Sequence, residues 1–402
     1  MAAFDIGDVA DLLGIRRLGQ GDNFDVVCPY CGDTRGKMNF CIRKNGREVN
    51  LYHCFHCGAG GNMLTLYADM KGITGTDRWK RACREIGEKL KDKNQGNSRP
   101  IYFPDREKEK RIRKQEIPRA NGNIIDRVYR QLFSQMTLTG EHERKLADRG
   151  LSEHQIEALH ARSIPAGEGE RLAEMLLNRD LRVAGVPGFF RTDQGNWSIA
   201  FPKSDGILFP IPDEKGRWCA VQMRMDHEKD GRKYLWLSSA KYPAGVSSKS
   251  PAAFWGDMDS PKIAVTEGGL KAYCAWCFSG KPFIGLPGVG QAGSLRDFLT
   301  QKRGSGQIFL ECMDMDKYMD VSCDGKDRHC KTCDEKDGSR KTCPHKLLKR
   351  TLIREGCNRF YRLCEENGLS CRRMKWDIET GGRWDGRWKG IDDKLLSLKK
   401  AG

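Results

Sequence analysis

Apolar positions along this chain recur with two different periods. Ile125, Val128, Tyr129, Leu132 and Phe133 follow the i, i+3, i+4 spacing of one helical face, which predicts a helix over 124–138. Trp79, Ala82, Ile86 and Leu90 predict another over 77–92, and Val9, Leu12, Leu13 and Ile15 a short amphipathic one near the start. MNFCIRK and EVNLYHCF read instead as short strands around a turn at 44–47. ILFPIPDEKGRWCAVQMR alternates as a second hairpin turning at 213–216. Beyond 256 the pattern changes to strand–helix alternation. Strands are expected at 262–266, 282–285, 307–311 and 369–376, and helices at 269–278, 292–301 and 345–367, with one more in the tail. Such a series predicts a mostly parallel sheet covered by helices.

The chain therefore reads as multidomain α+β and α/β. Residues 1–95, whose first hairpin lies between the pairs Cys28-x-x-Cys31 and Cys54-x-x-Cys57, read as a zinc ribbon, and 96–123 as a basic linker. Residues 124–255 form a basic α+β subdomain, and 256–402 an α/β domain interrupted by a cysteine-rich insert at 323–345. The linker mixes Pro, Gly and Asn with dense, mostly positive charge and has no useful periodicity, as expected of a flexible or extended tether. A length of 402 residues suits two or three cores.

Composition narrows the partner. The formal net charge of +16 favours a polyanion, nucleic acid first and anionic membrane second. No apolar run approaches the roughly 18–20 residues that span a bilayer, and the N-terminus lacks a basic region before an apolar core, so neither a membrane nor a secretory route is expected. There are 17 cysteines, several of them in CxxC spacings. In a large, charge-rich chain this implies reduced thiols, zinc and a cytoplasmic location rather than disulfides.

Cys28-x-x-Cys31 and Cys54-x-x-Cys57, with residues 32–53 between them, can close a tetrahedral zinc site of four thiolates. His53 and His56 flank the second knuckle, but the set is complete without them. In the insert, the Cys330-x-x-Cys333 knuckle with Cys343 and either Cys323 or His345 offers a second zinc site; a run so polar cannot fold by apolar burial.

Carboxylates mark the second centre of chemistry. The run at 262–266 delivers Glu267, after which Gly268 and Gly269 turn the chain into a helix. A second run ends in Asp314 and Asp316, and Asp392 and Asp393 follow the last strand. Acids at the C-terminal ends of neighbouring strands of an α/β sheet lie where ligands bind, and Mg²⁺ or Mn²⁺ takes oxygen ligands of this kind. The glycine-rich 285–290 reads as a turn near this site and not as a phosphate loop, because no GK[ST] follows.

These motifs resemble, in order, the parts of one family. Tyr52-His53-Cys54-Phe55-His56-Cys57 with Gly58 to Asn62 resembles the N-terminal zinc-binding domain of bacterial and phage DNA primases, with Cys31 where that family usually has histidine. The resemblance implies contact with single-stranded template, Arg35, Lys37 and Arg43 tracking phosphates while Tyr52 and Phe55 stack on bases. ERKLADRGLSEHQIEALHARSIPAG resembles the segment that opens the primase polymerase core. Phe209-Pro210-Ile211, Gly216, Arg224 and Lys233-Tyr234-Leu235 resemble its hairpin, which implies that Arg224 and Lys233 line a template and nucleotide groove. The order of glutamate, DxD and third acidic motif resembles the Toprim domain. It implies that Asp314 and Asp316, with Asp392 or Asp393, hold Mg²⁺ or Mn²⁺, and that Glu267 completes the site as ligand or proton-transfer group. One position departs: Lys271 stands where primases have aspartate, so it is expected to bind a nucleotide phosphate or to lower the number of metals held.

The function implied is a DNA primase of phage or mobile-element type. It would make short RNA primers from ribonucleoside triphosphates on single-stranded DNA, with a separate replicative helicase. Two alternatives stand beside it: a Toprim nuclease, and a non-catalytic zinc-dependent DNA-binding or replication protein with a relict Toprim domain.

Overall fold

The computed structural model describes residues 4–44, 47–73, 77–94, 117–229, 232–325 and 342–401. The chain divides into two units, Met1–Glu109 and Lys110–Gly402.

In the first unit the alternation of Phe24, Phe40 and Tyr52 builds one apolar sheet face. Strands β1 (Asn23–Val26), β2 (Met38–Lys44), β3 (Arg47–Cys54) and β4 (Gly60–Asn62) pair in that order as an antiparallel sheet, with Phe24 opposite Phe40 and Phe40 opposite Tyr52. Helices α1 (Ile6–Leu12), α2 (Met63–Lys71) and α3 (Arg78–Asn94) contribute Ile6, Val9, Leu66, Tyr67, Ala82 and Ile86 to the same core. The Asn62 side chain caps α2 by accepting from the backbone N–H groups of Leu64 and Thr65. The turn expected at 44–47 has its centre outside the described residues.

In the second unit the five periodic residues of the first helix are all buried. Helix α4 (Gly122–Phe133) lays Ile125, Val128, Tyr129, Leu132 and Phe133 against the strands. It is followed by α5 (Gly140–Ala147), α6 (Glu153–Leu159), β5 (Arg162–Ser163), α7 (Gly169–Leu177), β6 (Phe189–Arg191) and β7 (Trp197–Ile199). Next come β8 (Gly206–Pro212), β9 (Trp218–Lys229) and β10 (Arg232–Trp236), which make an antiparallel sheet in the order β10-β9-β8-β5. The β8–β9 turn closes as expected, Gly216 donating its N–H to the Asp213 carbonyl at 2.9 Å. Most of the stretch expected as a linker lies outside the described residues. Its end is fixed instead of loose: Arg119 donates to the carbonyls of Ser247 and Cys219, and Ala120 to that of Gly185.

The second sheet of this unit is built from β11 (Ala253–Trp255), β12 (Lys262–Glu267), β13 (Phe283–Leu286), β14 (Ile308–Glu311) and β15 (Ser370–Arg373), in the order β11-β13-β12-β14-β15. Strands β13, β12, β14 and β15 are parallel, as the alternation predicted, and β11 adds an antiparallel edge ahead of the expected boundary. Helices α8 (Gly269–Ser279), α9 (Arg296–Gln301), α10 (Pro344–Glu366) and α11 (Ile391–Ala401) accompany it. The helix expected at 292–301 begins as a 3-10 turn over Ala292–Leu295. Phe209 and Ile211 from one sheet meet Ala253 from the other and Leu270 and Tyr273 from α8 in a common core. Among the described residues no helix is long and apolar enough to cross a membrane.

Candidate zinc centre and acidic site

Each CxxC knuckle turns through a glycine that only a residue without Cβ adopts cheaply. Gly32 has φ 68° and Gly58 φ 76°, which lets their N–H groups donate to the carbonyls of Cys28 (2.8 Å) and Cys54 (2.9 Å). The two knuckles then face each other, with Cys28 and Cys57 sulfurs 3.8 Å apart and Cys31 and Cys54 sulfurs 3.9 Å apart. A tetrahedron with Zn–S bonds of about 2.3 Å has edges of about 3.8 Å, so the four thiols fit zinc as they stand. Among the described residues this is the one group of three or more His, Cys, Asp or Glu whose ligand atoms all lie within 4.8 Å of one another. Contacts with Cys28 and then Cys31 hold Cys54 below the usual thiol range, while contacts with Cys28 and then Cys54 push Cys31 above it. A zinc ion at the centre would take all four as thiolates. His56 Nδ1 sits 3.4 Å from the Cys31 sulfur, outside the set, and the His53 ring packs on Phe55.

Of the residues expected to contact template, Phe55 is 71% exposed and open to stacking. Tyr52 is not. It is buried, stacks on Tyr30 and shares a 2.6 Å hydroxyl hydrogen bond with it, so the expected base contact is corrected to a core role. Arg35 is held by the buried Asp33 at 2.6 Å, and exposed Arg43 lies near Glu48 and Asp22. Lys37 is half-buried beside the second knuckle, its N–H directed to Asp33. In the second unit Lys233 is exposed on β10, and Arg224 is half-buried on β9 with its Nε unpartnered.

Glu267 ends β12, and the β14 chain runs on into Asp314 and Asp316, so these acids share the C-terminal edge of the parallel strands. Both aspartates are buried; Asp314 precedes a 3-10 turn over Met315–Tyr318, and Asp316 lies within it. Asp392 enters from the first turn of α11. The turn after Glu267 is shaped by its neighbour on β13: a Cβ at Gly285 would stand 2.6 Å from the Gly268 carbonyl oxygen, so only glycine fits. This makes the glycine-rich 285–290 part of the site's scaffold.

Lysines and an arginine thread this acidic set. Lys271 donates to Asp314 Oδ1. Lys389 lies 3.3 Å from Asp314 Oδ2 and 2.9 Å from Asp316 Oδ2, and exposed Lys349 is 3.6 Å from Asp316. Arg149 donates to Asp392 Oδ2 at 2.9 Å. Burial, reinforced by the Asp314 charge, pushes the Glu267 carboxyl up, with Lys271 and Lys389 opposing. Burial also pushes up Asp392, against Lys271 and Arg149. Beneath the DxD turn, fully buried Glu311 takes Lys317 Nζ at 2.5 Å and Arg373 Nε at 2.5 Å. Arg149 stands in the Arg-Gly of the segment that opens this unit. Lys389, Glu311 and Lys317 were missed, because a lysine beside acids in sequence reads as solvated charge.

A divalent ion has donors here. The Glu267 carboxylate takes no hydrogen bond among the described residues. Asp392 Oδ1 is buried without a partner. It also converges with Asp393 Oδ2 on the space a Gly390 Cβ would fill, at 2.4 and 3.4 Å from it. The second zinc site cannot be drawn, since Cys330 and Cys333 lie outside the described residues. Cys343 is buried, Cys323 half-buried and His345 exposed.

Residues 2–98 match the CHC2 zinc finger family. The DNA primase of Listeria monocytogenes is 24% identical over 237 residues, covering 57% of this chain and 35% of that protein. The DNA primase of Geobacillus stearothermophilus is 32% identical over 85 residues, 21% of this chain and 13% of that protein. The crystal structure of the zinc-binding and RNA polymerase domains of the Aquifex aeolicus primase covers 99% of this chain and 81% of its own, at 13% identity and a TM-score of 0.47.

Proposed function

We propose that this chain, which resembles the bacterial DNA primases in sequence and carries a CHC2 zinc finger, makes short RNA primers on single-stranded DNA from ribonucleoside triphosphates. The observation that carries the reading is the gathering of Glu267, Asp314, Asp316 and Asp392 at one edge of a parallel sheet. In nucleotidyl transfer a 3′-hydroxyl attacks an α-phosphate and pyrophosphate leaves. A bound Mg²⁺ or Mn²⁺ supplies neutralisation of the developing charge and orients the triphosphate. Asp314 and Asp316, with Asp392 or Asp393, are the residues that would hold it. Glu267, its carboxyl raised by burial, is suited to accept the hydroxyl proton. Lys389 and Lys349 at the rim would meet the triphosphate, and Arg224 and Lys233 the template. The zinc finger would present template through Phe55 and its basic hairpin. Work in the cytoplasm beside a separate helicase belongs to the same reading.

The test is primer synthesis on single-stranded DNA with ribonucleotides and Mg²⁺ or Mn²⁺. Short RNA products that vanish in Asp314→Asn and Glu267→Gln are expected. The lysines that already pair with Asp314 and Asp316 favour a second reading, a DNA-binding protein without catalysis. Tight DNA binding with no product under either metal would establish that reading in place of the first.

A further inference from the structure

We propose that the Lys271 ammonium is a fixed substitute for a divalent cation, so that the acidic site of this chain holds one such ion, between Asp314 and Asp316, where Lys389 Nζ now lies. The inference rests on reading the acidic set as a metal site, and on nothing about primer synthesis.

Two ammonium groups occupy the set, and they differ in permanence. Lys271 projects from the first turn of α8 with its side chain 20% exposed, and it hydrogen bonds Asp314 Oδ1. Its Cε lies 3.3 Å from the position of a Gly390 Cβ, the same cradle on which Asp392 Oδ1 and Asp393 Oδ2 converge. The side chain thus fills the room between Asp314 and Asp392. An octahedral ion with oxygens at about 2.1 Å and its own waters has no space beside it. Lys389 differs. Its side chain is 50% exposed, and its Nζ bridges the outer oxygens of Asp314 and Asp316. That is the bridging position of a divalent ion, here held by an ammonium that can swing into solvent.

Charge counting gives the same answer. Asp393 and Lys349 at the exposed rim offset each other; Glu267, Asp314, Asp316 and Asp392 together carry four negative charges, and the fixed Lys271 and Arg149 return two. One divalent ion in place of Lys389 brings the set to neutrality. A second would leave two uncompensated positive charges in a largely buried site, which is strongly disfavoured.

Counting Mn²⁺ on the full, zinc-loaded chain by titration with electron paramagnetic resonance detection tests this without any nucleotide. One Mn²⁺ that Asp314→Asn abolishes is expected in the parent protein. Lys271→Asp should raise the count from one to two, and Lys271→Met should keep one ion and tighten it roughly tenfold by removing a neighbouring cation. Lys389→Met should also tighten the single ion roughly tenfold, since its competitor is gone. Two Asp314-dependent ions in the parent would overturn the proposal, as would one ion in a Lys271→Asp variant whose circular dichroism melt matches the parent. Unchanged affinity in Lys389→Met would remove Lys389 from the ion's place. A chain that makes no primers yet follows this pattern sinks the primase reading and leaves the metal count standing.

Discussion

The pair beneath the DxD turn offers a sharp test of how the acidic site is held. Glu311 and Lys317 are 0% and 1% exposed by side chain. Glu311 Oε1 accepts from Lys317 Nζ and from the Met313 N–H at 3.0 Å, and Lys317 Nζ also donates to the Met313 carbonyl at 2.9 Å. The pair therefore ties the end of β14 to the turn that carries Asp314 and Asp316. Replacing Glu311 by Gln keeps the shape and removes the charge. Arg373, a quarter exposed, can rehydrate, but Lys317 cannot. An uncompensated buried charge of this kind costs about 3–5 kcal/mol. Lys317→Met should cost less, because Arg373 and the Met313 N–H still serve Glu311. The double variant should regain part of the loss. As a control, Glu141→Gln removes only the exposed i,i+4 contact with Lys145 and should leave the unfolding midpoint close to that of the parent.

The assay follows from where the tryptophans lie. Trp79 is the one tryptophan in the first unit and is exposed, so a Trp79→Phe background leaves fluorescence reporting the second unit alone. Urea unfolding in that background gives the stability of each variant. A Glu311→Gln loss under about 1 kcal/mol would refute the reasoning, since it would place the pair in the class of surface bridges. A loss in the expected range should also weaken Mn²⁺ binding at Asp314, because the turn loses its tether.

Three further outcomes are expected. Replacing Cys54 and Cys57 together by serine should release one zinc equivalent per chain to a colorimetric chelator and unfold the first unit, whose small core is organised around the knuckles. Asp226 lies between His142 Nε2 (2.9 Å) and Lys145 Nζ (3.0 Å). Burial raises its carboxyl, but those two partners outweigh it and hold it below the usual range. Its stabilisation is therefore present above the unfolded carboxylate pKa and lost as pH falls towards the folded value, so Asp226→Asn should cost about 2 kcal/mol in neutral unfolding titrations, a gap that closes below about pH 4. Gly285→Ala should lower the melting temperature and the Mn²⁺ affinity together, by about 1–3 kcal/mol of overpacking against the Gly268 carbonyl; a melt that matches the parent would show that the turn after Glu267 has slack.

What could be read from the chain follows the range of the interactions concerned. The buried face of helix α4 was legible, because its five apolar positions are a local pattern and all five are buried, although the helix spans Gly122–Phe133 and stops short of the expected end at 138. The knuckles were legible for the same reason, since their ligand pairs and turning glycines lie within a few positions of each other. Tyr52 was misread although a local signal existed: period two places it on the face of Phe24 and Phe40, while Phe55, past the strand end, escapes that face. Strand β11 was missed because three consecutive buried residues show neither alternation nor length. The acids were visible because an apolar run that stops at a carboxylate is a local event. Their counter-charges were not, for Lys389 meets Asp314 and Arg149 meets Asp392 across long stretches of chain. A lysine carries no mark of burial in its own neighbourhood; Lys317 lies six residues from Glu311 in a run of acids and methionines, and the parallel register of β14 and β15 brings Arg373 to the same carboxylate. The charge state of the site, and with it the number of ions it admits, is thus a property of topology laid over a locally legible set of ligands.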